Sequence, residues 1–296
     1  MAAWFLLAML GACWAQQAAA VALQRRTMVY MYCGPDPNQG NHSGDAACDE
    51  RTSVALSHAS SISTLVLGSH LCRLPEYDDE SSASWCDYQA NYSAHIAQLR
   101  HAGVDVLLNA AGAHNFARLP AVVGSGAVER MVELALAVNA SGWAFDLEAK
   151  GIPLPGYIGF FAKLKKAFAP HGLQLQYTAG HHFANSLNFS ALLPLVDWVF
   201  DMSEYSRPAR AFPARYSTVP PGMGHKYVPG ASVNQWTQED TGPALAMFEQ
   251  ATAKGALQTI GLFTINENVS KWWWHYLDAW IASSRGGAAS VQIDGT

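Results

Sequence analysis

The sequence predicts an α/β fold, a single-domain (β/α)8 TIM barrel, and three observations predict it. Short apolar runs of strand length recur along the chain, with helical patterns between them. Eight such runs stand in one stretch of single-domain size, the number a barrel needs. No glycine-rich nucleotide turn follows the first run, which sets aside a doubly wound open sheet, the other fold built from alternating strands and helices.

The runs, in order, are Thr27–Tyr32, Ile62–Leu67, Val104–Asn109, Gly142–Glu148, Leu173–Thr178, Asp197–Met202, Ala231–Trp236 and Ile260–Ile265, the seventh being the least regular. Between the third and fourth, "GAVERMVELALAVN" sets Val128, Met131, Val132 and Ala135 on one helical stripe. Between the fourth and fifth, "GYIGFFAKLKKAFAPHG" does the same with Phe160, Phe161, Leu164 and Phe168, and Gly172 stands where a helix cap belongs. After the eighth, "SKWWWHYLDAWI" is dense in aromatics, as a stacking platform would be. Trp273, Leu277, Trp280 and Ile281 nevertheless share one stripe, the pattern of a core helix, which leaves Trp272 or Trp274 to reach a rim.

The ends of the chain differ from its middle. Residues 1–20 read as a secretory signal peptide: an apolar core runs from Trp4 to Leu10, small residues follow at Ala12 and Ala15, and no acid or base precedes Arg25. That apolar run is too short to span a bilayer comfortably. The barrel domain is expected over residues 25–284, and residues 285–296 read as a flexible tail. Of five cysteines, Cys13 falls in the leader, which leaves Cys33, Cys48, Cys72 and Cys86. An even number in an exported chain implies two disulfides. Short loops favour Cys33–Cys48 and Cys72–Cys86, although the spacing alone permits the other pairings. Asn-X-Ser sequons at Asn41, Asn91, Asn139, Asn188 and Asn268 fit a glycoprotein of the secretory route, secreted or held in a lysosomal or vacuolar lumen. The formal net charge is -5 with no block of like charges, which argues against nucleic acid and anionic membranes as partners. A monomer without a cofactor is expected.

The fourth run carries the chemistry. In a strand, residues i and i+2 share a face, so Ala144, Asp146 and Glu148 point one way and Trp143, Phe145 and Leu147 the other. In a barrel the bulky set faces the helices and the small and acidic set faces the lumen. Glu148 then stands at the C-terminal mouth, where barrel enzymes keep their reactive groups, with Asp146 a layer deeper. Their Cα atoms stand roughly 6.6 Å apart along the strand, and two carboxylates so close in a poorly solvated site do not both ionise freely. One is held protonated, as a general acid must be. An acid pair that merely caps a strand end by binding loop backbone has the same spacing.

"SGWAFDLE" resembles the fourth-strand signature of glycoside hydrolase family 18, D-G-x-D-x-D-x-E, which it matches at Gly142, Asp146 and Glu148. "VDVLLNAAG" is similar to that family's third strand and "VDWVFDMSEYS" to its sixth, where a Met and a Tyr sit near the sugar. The chain departs from the family at Ser141 and Ala144, where aspartates are usual. Tyr205 follows Met202 by three residues instead of two, and "GLFTIN" offers Phe263 in place of a floor tryptophan. The resemblance implies a glycosidase acting on N-acetylglucosamine-containing glycans, with chitooligosaccharides or N-glycan cores as substrate. In that reading Glu148 is the general acid, the substrate's own acetamido group is the nucleophile, Asp146 orients that group, and Tyr205 hydrogen-bonds its carbonyl. A lectin that binds the same glycans without turnover is the alternative that the missing acids and tryptophan favour, and the retained Glu148 opposes it.

On the fifth run Gln176 and Thr178 fall on the inward face near the mouth, as sugar-hydroxyl partners or as polar filling of the lumen. Met202 and Phe263 complete the expected substrate-binding set. His181 and His182 follow directly, but adjacent side chains rarely chelate one ion and no third ligand stands at metal spacing, so no metal is expected. Asp201 and Glu204 form a second acid pair on the sixth run; Glu204 facing Glu148 across the mouth would make an ordinary two-carboxylate glycosidase.

Overall fold

The structure is a computed structural model of the chain, and its description covers residues 24–33, 45–69, 88–111, 126–146, 154–180, 188–202, 211–255, 257–265 and 269–283. Strands and helices alternate strictly. The order is β1 (Arg26–Cys33), α1 (Asp45–Ser57), β2 (Thr64–Ser69), α2 (Tyr88–His101), β3 (Asp105–Ala111), α3 (Ala127–Ala137), β4 (Gly142–Asp146) and α4 (Leu154–Phe168). It continues with β5 (Gln174–Ala179), α5 (Phe189–Leu192), β6 (Trp198–Asp201), α6 (Phe212–Tyr216), β7 (Tyr227–Ser232), α7 (Gln238–Gly255), β8 (Thr259–Ile265) and α8 (Lys271–Ala282). The strands form a closed barrel in chain order, every pair is parallel, and β8 returns to β1. This is the (β/α)8 barrel that the alternation predicts. No helix among the described residues is long and apolar enough to cross a membrane.

Strand alternation sorts the apolar residues into two populations. One lies between strands and helices and includes Val29, Leu65, Leu108, Trp143, Phe145, Leu175, Tyr177, Val199 and Leu262, packed against the stripes of α3, α4 and α8. Trp143 also donates its indole N–H to the Met131 carbonyl at 2.9 Å, which fastens α3 to β4. The expected stripes hold: Val128, Met131, Val132 and Ala135 are buried on α3, as are Phe160, Phe161, Leu164 and Phe168 on α4 and Trp273, Leu277 and Trp280 on α8. Trp274 is buried too, stacked on His58 with ring centroids 4.0 Å apart. The second population fills the lumen: Met28, Tyr30, Val66, Leu107, Ala144, Trp198, Phe200, Met202 and Val228.

The seventh strand corrects the expectation. It is Tyr227–Ser232, not Ala231–Trp236, and it contains Pro229 and Gly230. Both residues are usually read as breakers of a strand pattern. Gly230 is needed here because a Cβ would come within 2.4 Å of the Phe200 ring that crosses the lumen, and Gly261 on β8 stands under the same ring at 2.1 Å. A β-carbon at Gly142 would sit 2.0 Å from the Gln174 carbonyl oxygen, so the glycine of the "SGWAFDLE" segment is a requirement of close strand approach.

At the N-terminal end of the barrel the strands begin around a charged plug. Asp105 accepts from Arg26 at 2.9 Å, Arg100 at 2.6 Å, Ser141 at 3.2 Å and Gln174 at 3.4 Å. The Arg26 guanidinium also lies 5.2 Å from the centre of the Trp198 ring. Polar groups at this end of a barrel serve stability. Ser141, one of the departures from the family signature, therefore belongs to the plug and not to the mouth. Of the two disulfides expected, Cys33–Cys48 is formed, with its Cα atoms 4.8 Å apart. Cys72 and Cys86 lie outside the described residues, as do residues 1–20 and the tail at 285–296.

Candidate active site

The mouth of the barrel is built from the C-terminal ends of its strands. Asp146 closes β4 on the same face as luminal Ala144, in register with Ala111 of β3 and Thr178 of β5. It is 8% exposed, a carboxylate set at the edge of a mostly apolar lumen. The alternation that points Asp146 inward and Trp143 and Phe145 outward is as the sequence predicts. Glu148, Tyr205, Glu204, His181 and His182 lie outside the described residues.

Beside Ala144 and Asp146, strand β5 contributes Gln176 and Thr178. Both face the lumen as expected, but both are fully buried or nearly so. Gln176 donates its amide N–H to the Tyr30 hydroxyl at 2.5 Å and to Thr178 Oγ1 at 3.1 Å, and Tyr30 and Thr178 are themselves hydrogen-bonded. The expected sugar-hydroxyl partners are thus bound to one another beneath the accessible surface. The reason is Tyr30, whose phenol reaches across from β1 and brings a hydroxyl that must be satisfied in a closed lumen. Asn109 on β3 adds a further buried amide on the same side as Leu107. Met202 is buried in the luminal cluster, and Phe263 packs on that cluster while staying partly exposed.

Asp201 takes no part in the mouth. It alternates with luminal Phe200 and Met202, so its side chain points to the helix layer. There it accepts from Arg215 Nε at 2.9 Å and from the Tyr227 hydroxyl at 2.6 Å, fully buried. The two-carboxylate option rests on Glu204 and Glu148, both outside the described residues. Among the described residues no group of three or more His, Cys, Asp or Glu stands together as a metal site.

Sequence reasoning passed over Tyr30 and Tyr32. Their signal was present: in "TMVYMYC" Met28, Tyr30 and Tyr32 share one face, and that face is the lumen. At the same end of the barrel the ring of Tyr32 meets Phe263 with centroids 5.6 Å apart and planes at 76°. The Phe263–Thr264 peptide is cis, and the β1–β8 register shifts between Val29 and Met31.

No protein-family model and no curated protein matches this chain. Solved structures do. A class V chitinase of Pseudomonas fluorescens Pf-5 superposes with a TM-score of 0.63 at 12% identity, covering 87% of this chain and 99% of its own. The spore cortex-lytic enzyme SleL of Bacillus megaterium gives 0.61 at 10% identity over 86% of this chain and 73% of its own. The family 18 chitinase ChiB of Flavobacterium johnsoniae gives 0.59 at 11% identity over 88% and 94%. The fold is the one these enzymes share. At such identities the likeness is of backbone architecture, the closed (β/α)8 barrel, and the chemistry has to be argued from the residues themselves.

Proposed function

We propose that the protein is an exported, monomeric glycosidase that cleaves N-acetylglucosamine-containing glycans with retention, using the substrate's acetamido group as nucleophile. The observation that carries this reading is the place of Asp146: a nearly buried carboxylate on the luminal face of β4, in a barrel with a chitinase-like fold. Glu148, two residues further along the chain, donates a proton to the glycosidic oxygen as the bond to the anomeric carbon breaks. The acetamido carbonyl oxygen bonds to that carbon in the same step. Asp146 orients the acetamido group and balances the positive charge of the oxazolinium ring, and Tyr205 hydrogen-bonds the acetamido oxygen. Water then opens the ring and returns the proton to Glu148. Gln176, Thr178 and Met202 form the layer beneath, which fixes the shape of the cup, while Phe263 meets the sugar. Chitooligosaccharides, N-glycan cores and peptidoglycan all present the required acetamido group. The Cys33–Cys48 disulfide supports an oxidising destination.

Turnover of chitobiosyl and high-mannose glycan substrates by the purified protein and by its Glu148→Gln variant tests the reading. Turnover should fall by about 10²–10⁴-fold in the variant while sugar binding persists, because the amide keeps the shape but delivers no proton. Sugars with a plain 2-hydroxyl should be poor substrates. Binding without product by the unaltered chain would make it a lectin, and fast cleavage of plain glucosides by the variant would overturn the mechanism.

A further inference from the structure

We propose that Asn139 carries an N-linked glycan, and that the glycan is attached before β4 joins the barrel. The inference rests on the exported reading above. It concerns the N-terminal end of the barrel, opposite the mouth.

Three consecutive turns from helix to strand are built alike. The turns before β3, β4 and β5 each hold one residue in the left-handed region: Gly103 at φ 84°, Asn139 at φ 58° and Gly172 at φ 66°. In each, the N–H of the following residue closes onto the last helical turn, from Val104 to the Leu99 carbonyl at 3.1 Å, from Ala140 to Ala135 at 2.8 Å and from Leu173 to Phe168 at 3.2 Å. The residue after that is Asp105, Ser141 or Gln174, and all three meet in the charged plug. Such a turn calls for glycine, and the turns on either side have it. Among the described residues Asn139 alone holds a positive φ without being glycine. Its side chain is exposed and makes no hydrogen bond among those residues, so neither the turn nor the packing accounts for it.

What Asn139, Ala140 and Ser141 do satisfy together is the acceptor pattern for N-glycosylation. In that transfer Asn139 Nδ2 bonds to the anomeric carbon of an oligosaccharide. The bond from that carbon to the diphosphate of a lipid carrier breaks, and the amide releases one proton. The exposed side chain leaves the bulky product outside the fold. The rest of the acceptor is shut. Ala140 is 8% exposed and Ser141 9%. Ser141 Oγ donates to Asp105 at 3.2 Å and accepts from the Val106 N–H at 3.1 Å. Its backbone is spent as well, the N–H on the Val106 carbonyl at 2.7 Å and the carbonyl on the Gln174 N–H at 2.8 Å. A transferase that reads the serine must reach a hydroxyl that the folded chain has given to β3. The acceptor is therefore open only while β4 stands apart from β3 and β5, which sets the order: glycan first, barrel second.

Peptide mapping of the full chain, produced in a eukaryotic secretory host behind its own leader, tests the site. The peptide that holds Asn139 should carry a glycan and should hold aspartate at 139 after enzymatic release of the sugar. Asn139→Gly should lose that glycan and still be exported, because it gives the turn the residue its neighbours use. The order is tested on folded protein made without glycans. Offered with a lipid-linked oligosaccharide to detergent-opened microsomal membranes, it should stay unmodified at Asn139, while its own tryptic peptide, cut after Arg130 and Lys150, should be modified. If the chain does not enter the secretory route behind its own leader, the export reading fails, and a host leader delivers the same chain for the same mapping. An unmodified Asn139 in exported chain overturns the proposal behind either leader, most directly where Asn188, also exposed and also in a sequon, is occupied. Transfer to Asn139 of the folded protein overturns the order.

Discussion

Asp201 shows how much the direction of one side chain decides. On spacing, Asp201 and Glu204 read as a second acid pair on the sixth strand. The neighbours settle the direction of Asp201, because Phe200 and Met202 occupy the lumen and leave residue 201 to the helix layer. There it holds Arg215 of α6, whose guanidinium lies 5.2 Å from the centre of the Phe189 ring of α5, and the hydroxyl of Tyr227 on β7. One buried carboxylate thus joins two helices and two strands. Removing it leaves a buried guanidinium without its counter-charge, so Asp201→Ala should destabilise the fold by about 3–5 kcal/mol. The double replacement Asp201→Leu with Arg215→Met should cost less. Urea unfolding of the three variants checks both expectations, and a neutral Asp201→Ala would show that the pair is not a structural anchor.

At the scale of elements, β4 was legible and β7 was not, for a physical reason. In β4 a small or acidic residue alternates with a large aromatic one, so the pattern states its two faces outright. In β7 both faces are buried, Pro229 and Gly230 imitate a turn, and the purpose of Gly230 lies on another strand, in the ring of Phe200. A single sequence does not display that complementarity. The same packing makes a prediction: Gly261→Ala places a methyl against Phe200 and should cost about 1–3 kcal/mol through overpacking. Adding Phe200→Leu should recover part of that loss, a coupling that a double-mutant cycle measures directly. Additive effects would mean that the ring and the glycine do not share the space. At the mouth end of the barrel, the inward direction of Asp146 was readable from alternation in β4, while Phe263 entered only through the family resemblance. The closed set of Tyr30, Gln176 and Thr178 was not, because it needs residues far apart in sequence to meet across the lumen.

For the molecule as a whole, acid is the condition that tests the fold. Burial pushes the Asp105 carboxyl up, but hydrogen bonds from Arg100, Arg26 and Gln174, with the charge of Arg26, outweigh it and hold the group below the usual carboxylate range. Hydrogen bonding from Arg25, against burial, lowers Glu249 as well, and the same arginine stacks on Trp280 of α8 at 4.3 Å. Both groups bind protons less readily when folded than when unfolded. Their stabilisation is therefore complete above the ordinary carboxylate range and is lost as the pH falls from that range through the lowered folded values. Through these two carboxylates, unfolding free energy measured against pH should fall with acid below about pH 4. Asp105→Asn should flatten that fall. An unchanged slope in the variant would assign the acid sensitivity to other groups.

The ring of Phe200 has a consequence of another kind. Lying across Gly230 and Gly261 with the Asp105 plug below it, it turns the barrel into a cup with a solid base. Among the described residues the luminal side chains leave no passage along the axis, so whatever reaches Asp146 arrives from the C-terminal end of the barrel.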